Sequence, residues 1–172
     1  VNGHGARARE FGLDPGYGAN WDLSAYTNIG KDPQTNEQNT LLAAGGTEAT
    51  GILARRVVLD LYRPGGGDAS LVPLALFAKL DLPLYVLITN KPSAGSGGDN
   101  PDFTEQYTQG YDTAYWLVSR QAQRAGADPG DVWNQDYTVD YGDRLLVENW
   151  RAMRAAAVWS LLDPAVGASV YG

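Results

Sequence analysis

The stretch Ala43-Ala44-Gly45-Gly46-Thr47-Glu48-Ala49-Thr50-Gly51-Ile52-Leu53-Ala54-Arg55-Arg56 decides how the rest of the chain is read. Two glycines lead out of small residues into a run whose apolar members Ile52, Leu53, Val57, Val58, Leu59 and Leu61 cover most of a helical circumference. That pattern predicts a helix over about Glu48–Tyr62, buried on more than one side, with the glycines as the loop before it. Arg63-Pro64-Gly65-Gly66-Gly67 stops it, because proline removes a helix donor and the glycines favour a turn. Glu48 stands at the helix mouth, where unpaired amides favour a carboxylate. The plainer reading gives it no other task.

Working outward, Asn100-Pro101 supplies an N-cap and a first-position proline, and Phe103, Tyr107, Tyr111, Ala114, Tyr115, Val118 and Ala122 recur at helical spacing up to Gly126. Such an aromatic stripe reads first as core and only second as a ligand shelf. A third helix is expected over Asp143–Leu162, closed by Asp163-Pro164. Leu71–Leu80 is helical in spacing, whereas Leu84–Thr89 is a short apolar run that suits strand or helix equally. At the start, residues 1–12 read as the end of a helix terminated by Gly12. Asp14–Gly18 is turn chemistry, and Asn20–Asn39 is a long polar loop pinned by Trp21 and Tyr26. The expected fold is therefore mainly α: a single domain over 1–172 of three or more packed helices, long polar loops and at most one short strand. Leu53, Val57, Tyr111, Val118, Met153 and Ala157 are expected in its core.

Composition narrows the function. A length of 172 residues, 44% of them hydrophobic, suffices for one domain with a core of its own. A net charge of −7, with 13 scattered Lys and Arg, argues against a nucleic-acid binder, which would need a basic patch to neutralise phosphates. The close couples Arg7/Arg9 and Arg55/Arg56 read as solvated helix faces. With no cysteine, disulfides, thiolate metal sites and a cysteine nucleophile are all excluded within these residues. Val1 stands where Met is usual and residues 165–172 end on apolar side chains, so a piece of a longer protein is expected. Leu71–Ile88 and Met153–Tyr171 come nearest to membrane spans. Both carry charges and prolines and read better as buried or half-buried segments, with a helix hairpin at a membrane interface as the other reading.

Chemistry-bearing patterns are few. There is no Gly-x-Ser-x-Gly elbow, and one histidine would have to serve every base role, which disfavours nucleophilic catalysis. Asp131, Asp136, Asp140 and Asp143 crowd one segment but read as soluble turn residues outside any EF-hand pattern. Lys91–Asp102 is Gly-rich without the Lys and Ser/Thr of a phosphate cradle.

What remains is Gly3-His4-Gly5-Ala6-Arg7 with Gly45-Gly46-Thr47-Glu48-Ala49. Read together, these two short stretches resemble the second half of a zincin-type metallopeptidase motif followed by a downstream glutamate ligand. The resemblance implies zinc held by His4 and Glu48, with Arg7 orienting a carboxylate or a polarised substrate oxygen as a catalytic residue. It departs from the pattern in spacing. The glutamate of His-Glu-x-x-His would fall on Val1, so only a variant with one more residue fits. On a regular helix that residue turns the two histidines apart by roughly 100°. The missing ligand and the general base are then expected outside these residues. The resemblance thus implies a metal-dependent hydrolase within a larger membrane-associated or extracytoplasmic protein. The competing expectation is a non-catalytic interaction subunit, meeting a protein partner through the aromatic-rich segments Trp21–Asn39 and Asp131–Tyr141.

Overall fold

The computed structural model describes residues 3–19, 25–64, 68, 70–94 and 102–162. Among them the chain is mainly helical: α1 (Gly3–Glu10), β1 (Pro15–Ala19), β2 (Ala25–Ile29), α2 (Asn36–Leu61), α3 (Leu71–Ile88), α4 (Phe103–Thr108), α5 (Asp112–Ala125), α6 (Pro129–Trp133) and α7 (Arg144–Leu161). They group into two compact units, Val1–Gly46 with Thr89–Trp150, and Thr47–Ile88 with Arg151–Gly172, so α2 and α7 each contribute residues to both.

In the first unit α1 ends as its sequence requires. Gly12 adopts φ 69°, and the amides of Gly12 and Leu13 reach back to the carbonyls of Arg9 and Ala8 at 3.0 and 2.9 Å, the pattern of a Schellman cap. Beyond it, β1 and β2 form an antiparallel pair running from Pro15 opposite Ile29 to Ala19 opposite Ala25. This hairpin takes the place of the expected turn and the first part of the polar loop. Trp21 lies outside the described residues. The loop is shortened again because α2 starts at Asn36 and runs through Gly45 and Gly46 without a break. Thr35 caps it, its hydroxyl accepting the Gln38 amide at 3.1 Å, while the Gln38 side chain accepts the Gln34 amide at 2.6 Å. Thr35-Asn36-Glu37-Gln38 carries the Ser/Thr-x-x-Glu/Gln signature of a capping box.

The expected aromatic helix is two helices. Asp102 and Glu105 close a capping box at the start of α4, and Gly110 (φ 76°) breaks the chain before α5. The stripe is core nonetheless: Phe103, Tyr107, Ala114, Val118 and Ala122 are buried, as are Leu117, Val132 and Leu146. A smaller cluster of Ala8, Leu13 and Leu42 is flanked by Phe11, Ile29 and Trp133. Most polar groups inside this unit are matched, Asn36 Oδ1 being the buried side-chain atom without a partner among the described residues. Asn39, fully buried, donates to the Pro129 carbonyl at 3.0 Å and accepts from the Tyr115 hydroxyl at 3.1 Å, and the Tyr107 hydroxyl donates to the Val132 carbonyl at 3.1 Å.

The second unit is built on small residues. Ala54, Val57, Ala75, Ala78, Val86 and Ala157 are buried. Leu84–Thr89, which the sequence leaves open between strand and helix, completes α3, and Pro83 sits inside that helix at the cost of one backbone bond. The Arg154 guanidinium donates to the Leu87 carbonyl at 2.8 Å, satisfying an end-of-helix carbonyl and complementing the negative end of the dipole. Of the six residues expected in the core, Val57, Val118 and Ala157 are buried, while Leu53, Tyr111 and Met153 are half-buried.

The glycines of α2 separate by function, and this gives opposite outcomes for one substitution. A Cβ on Gly45 would stand 2.8 Å from the Gly3 carbonyl oxygen, backbone that cannot step aside, whereas a Cβ on Gly51 meets nothing within 4 Å. Gly45→Ala should destabilise by about 1–3 kcal/mol through overpacking. Gly51→Ala should stabilise by about 0.4–1 kcal/mol through helix propensity and a less flexible unfolded chain. Urea unfolding of the two variants checks both signs.

Candidate functional site around His4

His4, the single histidine, lies in the first turn of α1 and is half-buried. Its ring is held at both nitrogens. Nδ1 is 2.7 Å from the carbonyl oxygen of Leu42 on α2, and Nε2 is 3.1 Å from Oδ2 of Asp112, the first residue of α5. A carbonyl can only accept, so Nδ1 carries hydrogen and donates. Nε2 then donates to the carboxylate as the second N–H of the imidazolium form. Burial lowers the pKa of the ring, but the hydrogen bond and charge of Asp112 and the Leu42 carbonyl outweigh it and hold the pKa above its ordinary 6.5.

The position of Asp112 follows from the helix break. Gly110 ends the α4 segment in a left-handed turn, Tyr111 is extended, and Asp112 opens α5, where unpaired amides and the helix dipole favour its negative charge. Reading Phe103–Gly126 as one helix hid this, because a mid-helix aspartate carries no such meaning. The available signal was the Gln109-Gly110 pair inside the stripe.

Gly46 completes the arrangement. A Cβ there would stand 2.5 Å from His4 Nε2 and 3.1 Å from Asp112 Oδ2, so only glycine leaves space beside both atoms. Gly45 does the same for the backbone of Gly3 and the side chain of Arg7. The glycines expected as a loop are therefore the helical seat on which α1 rests.

The other sequence-predicted site residues are placed as follows. Arg7 holds Glu10 in an ion pair at 2.6 Å. Glu48 lies on α2, exposed, in the second unit, whereas His4 and Arg7 belong to the first. Among the described residues no group of three or more His, Asp or Glu is gathered in a way that could hold a metal ion. The acidic segment does local work: Asp143 caps α7 by accepting the Leu145 amide at 2.9 Å and pairs with Arg124, and Asp140 accepts the Gly142 amide at 2.8 Å. In the same segment, Trp133 packs on the small core cluster and Tyr141 bonds Thr104 and meets Phe103 edge-on. Burial first, then neighbouring charges, pushes the Tyr107 hydroxyl well above the usual range; Tyr115 is raised by burial and by Tyr107. Both hydroxyls stay neutral hydrogen-bond donors.

No family model, curated protein or solved structure matches this chain.

With one histidine, the imidazole NMR signals need no assignment. In metal-free protein the His4 titration midpoint should lie above 6.5, and Asp112→Asn should bring it below, since burial is then opposed only by the Leu42 carbonyl. A raised folded-state pKa means the His4–Asp112 pair adds stability that is complete below the unfolded value and lost as pH rises through the folded one. Denaturant midpoints followed from pH 5 to 8 should therefore fall more steeply for the native chain than for Asp112→Asn. An unchanged midpoint in the variant would contradict the pairing.

Proposed function

We propose that these residues contribute to a zinc-dependent hydrolase, with His4 as a metal ligand through Nε2, Glu48 as a second ligand and Arg7 orienting a carboxylate or substrate oxygen. The observation that carries this reading is the clamp on His4. A donor bond from Nδ1 to a backbone carbonyl fixes the tautomer that leaves Nε2 as the ligating atom, the usual outer-shell arrangement of a metal-bound histidine. Zinc bound there would polarise a carbonyl and bring a bound water to a pKa of about 7. Zinc analysis of the full chain after dialysis should show metal retained in the native protein and lost in His4→Ala and Glu48→Gln, with circular dichroism unchanged. A native chain that retains no zinc would end the proposal.

A second reading concerns where the protein works, and a separate observation favours it: association with a lipid bilayer. Leu71–Ile88 is the one helix among the described residues long and apolar enough to cross a membrane, and 22% of it is fully buried, the rest being half-buried or exposed. Leu74, Phe77, Leu84 and Ile88 are exposed and share one helical face. Eighteen residues at 1.5 Å each span about 27 Å, close to the hydrocarbon thickness of roughly 30 Å. In flotation with phosphatidylcholine vesicles the native chain should rise with the lipid, and the double variant Phe77→Glu/Leu84→Glu should stay behind with unchanged helicity. Equal flotation of the two would count against α3 as the lipid-facing element.

A further inference from the structure

We infer that α3 lies along the surface of an anionic lipid bilayer instead of crossing it, with Arg55 and Arg56 of α2 at the headgroups. This inference rests on the bilayer reading above and adds the lipid class and the depth. Exposed apolar groups are unevenly spread. Among the described residues, eleven of the thirteen exposed large hydrophobic side chains belong to the second unit, so its apolar surface extends from α3 to Leu59 of α2 and Trp159 of α7. Charge divides the same way. The first unit has seven Lys and Arg against fifteen Asp and Glu, net −8, whereas the second has six against five, net +1. An anionic surface repels the first and not the second. Length alone would let α3 cross, but the charges level with its middle oppose it. The Thr50 hydroxyl donates to Asp81 Oδ2 at 2.8 Å, and the short connection from Leu61 to Leu71 makes α2 and α3 antiparallel. Counted from that bond at 1.5 Å per residue, Arg55 and Arg56 come level with Leu76 and Ala75, about 5–7 Å along the axis from the middle of α3, and Lys79 and Asp81 fall within about 2 Å of it. Both arginines are exposed. A crossing α3 would hold their guanidiniums deep in hydrocarbon, where charged groups are strongly disfavoured. With α3 laid flat, its stripe of Leu74, Phe77, Leu84 and Ile88 sinks as a whole to the acyl boundary, and the arginines stay at the polar level. On α2 they stand three and four residues from both Ile52 and Leu59, so their stems lie against apolar surface while the guanidiniums reach lipid phosphate.

Binding of the full chain to two vesicle compositions tests the lipid class: phosphatidylcholine alone, and phosphatidylcholine with about 30% phosphatidylglycerol as the anionic component. The native chain should bind the anionic vesicles about tenfold tighter or more, since two basic residues near such a surface are together worth roughly thirtyfold. Arg55→Gln/Arg56→Gln should lose most of that preference, with circular dichroism and binding to neutral vesicles unchanged. Equal affinity of the native chain for both compositions, or an undiminished preference in the double variant, would overturn the headgroup assignment and leave the bilayer reading standing. Depth is read separately, because a chain without cysteine accepts one labelled thiol at a time. Phe77→Cys, near the middle of α3, and Ile88→Cys, at its end, share a face, and each is labelled with bimane and quenched by lipids spin-labelled at a shallow or a deep acyl position. An α3 in the membrane plane gives both labels the same shallow depth. A deep label at position 77 with a shallow one at 88 means that α3 crosses, and overturns the inference. Should Phe77→Cys not fold, Leu84→Cys replaces it under the same criterion. A native chain that binds neither composition ends the bilayer reading, and this inference with it.

Discussion

Everything in the first unit that bears on chemistry depends on the lack of side chains at Gly45 and Gly46. Two glycines inside a helix are expensive, about 1 kcal/mol each relative to alanine, and at these two positions a neighbour needs the space. Here the backbone of Gly3 and the ring of His4 take it. Close approach brings the Leu42 carbonyl, one turn earlier on α2, within 2.7 Å of Nδ1, so one helix crossing both admits the imidazole and sets its orientation. The constraint works in one direction: any larger residue at 45 meets backbone, and any at 46 meets His4 Nε2 and Asp112 Oδ2.

The break between α4 and α5 is the complementary constraint. Had the stripe from Phe103 to Ala122 continued as one helix, Asp112 would be an ordinary helical residue with its amides already bonded. Gly110 and the extended Tyr111 instead give α5 a fresh N-terminus, with the carboxylate in its first turn and no side-chain cap competing for it. The buried aromatic groups hold this junction from behind. Tyr107, on the α4 side, and Tyr115, on the α5 side, pack with ring centroids 5.8 Å apart and anchor to Val132 and Asn39.

Much of the fold was legible because it rests on periodicity. The stripe of α4 and α5, the helix over Arg144–Leu161 and the Gly12 terminus all follow from spacing and cap chemistry. What was not legible falls where a local rule yields to a distant contact. Gly45-Gly46 reads as a loop in any local window, and only the approach of α1 makes it helix. The Thr35–Gln38 capping signature was in plain view but was absorbed into a stretch whose Asn, Thr and Gln content reads as loop. The hairpin uses Gly16, Gly18 and Asn28, residues poor in strand propensity, and is defined by pairing across it. Of the site, His4 could be singled out by its uniqueness, while Asp112 was hidden in a stripe read for its aromatics. The pairing of His4 with Glu48 rested on motif analogy alone, and the contact that fixes His4 comes from elsewhere in the chain.

The two units differ in how they treat polar groups, and the difference bears on environment. In the first, buried Asn39, Thr89, Thr113 and Gln121 engage partners within the unit, as a core facing water requires. In the second, the exposed side of α3 is apolar along Leu74, Phe77, Leu84 and Ile88, and Asp81, which falls on the same stripe, accepts the Thr50 hydroxyl at 2.8 Å. A water-facing helix reverses this arrangement, with carboxylates outermost and leucines beneath. Apolar groups outward, with the intervening carboxylate bonded inside the unit, is the pattern on which the bilayer proposal for α3 rests, since each unmatched polar group in a low-dielectric surrounding costs several kcal/mol.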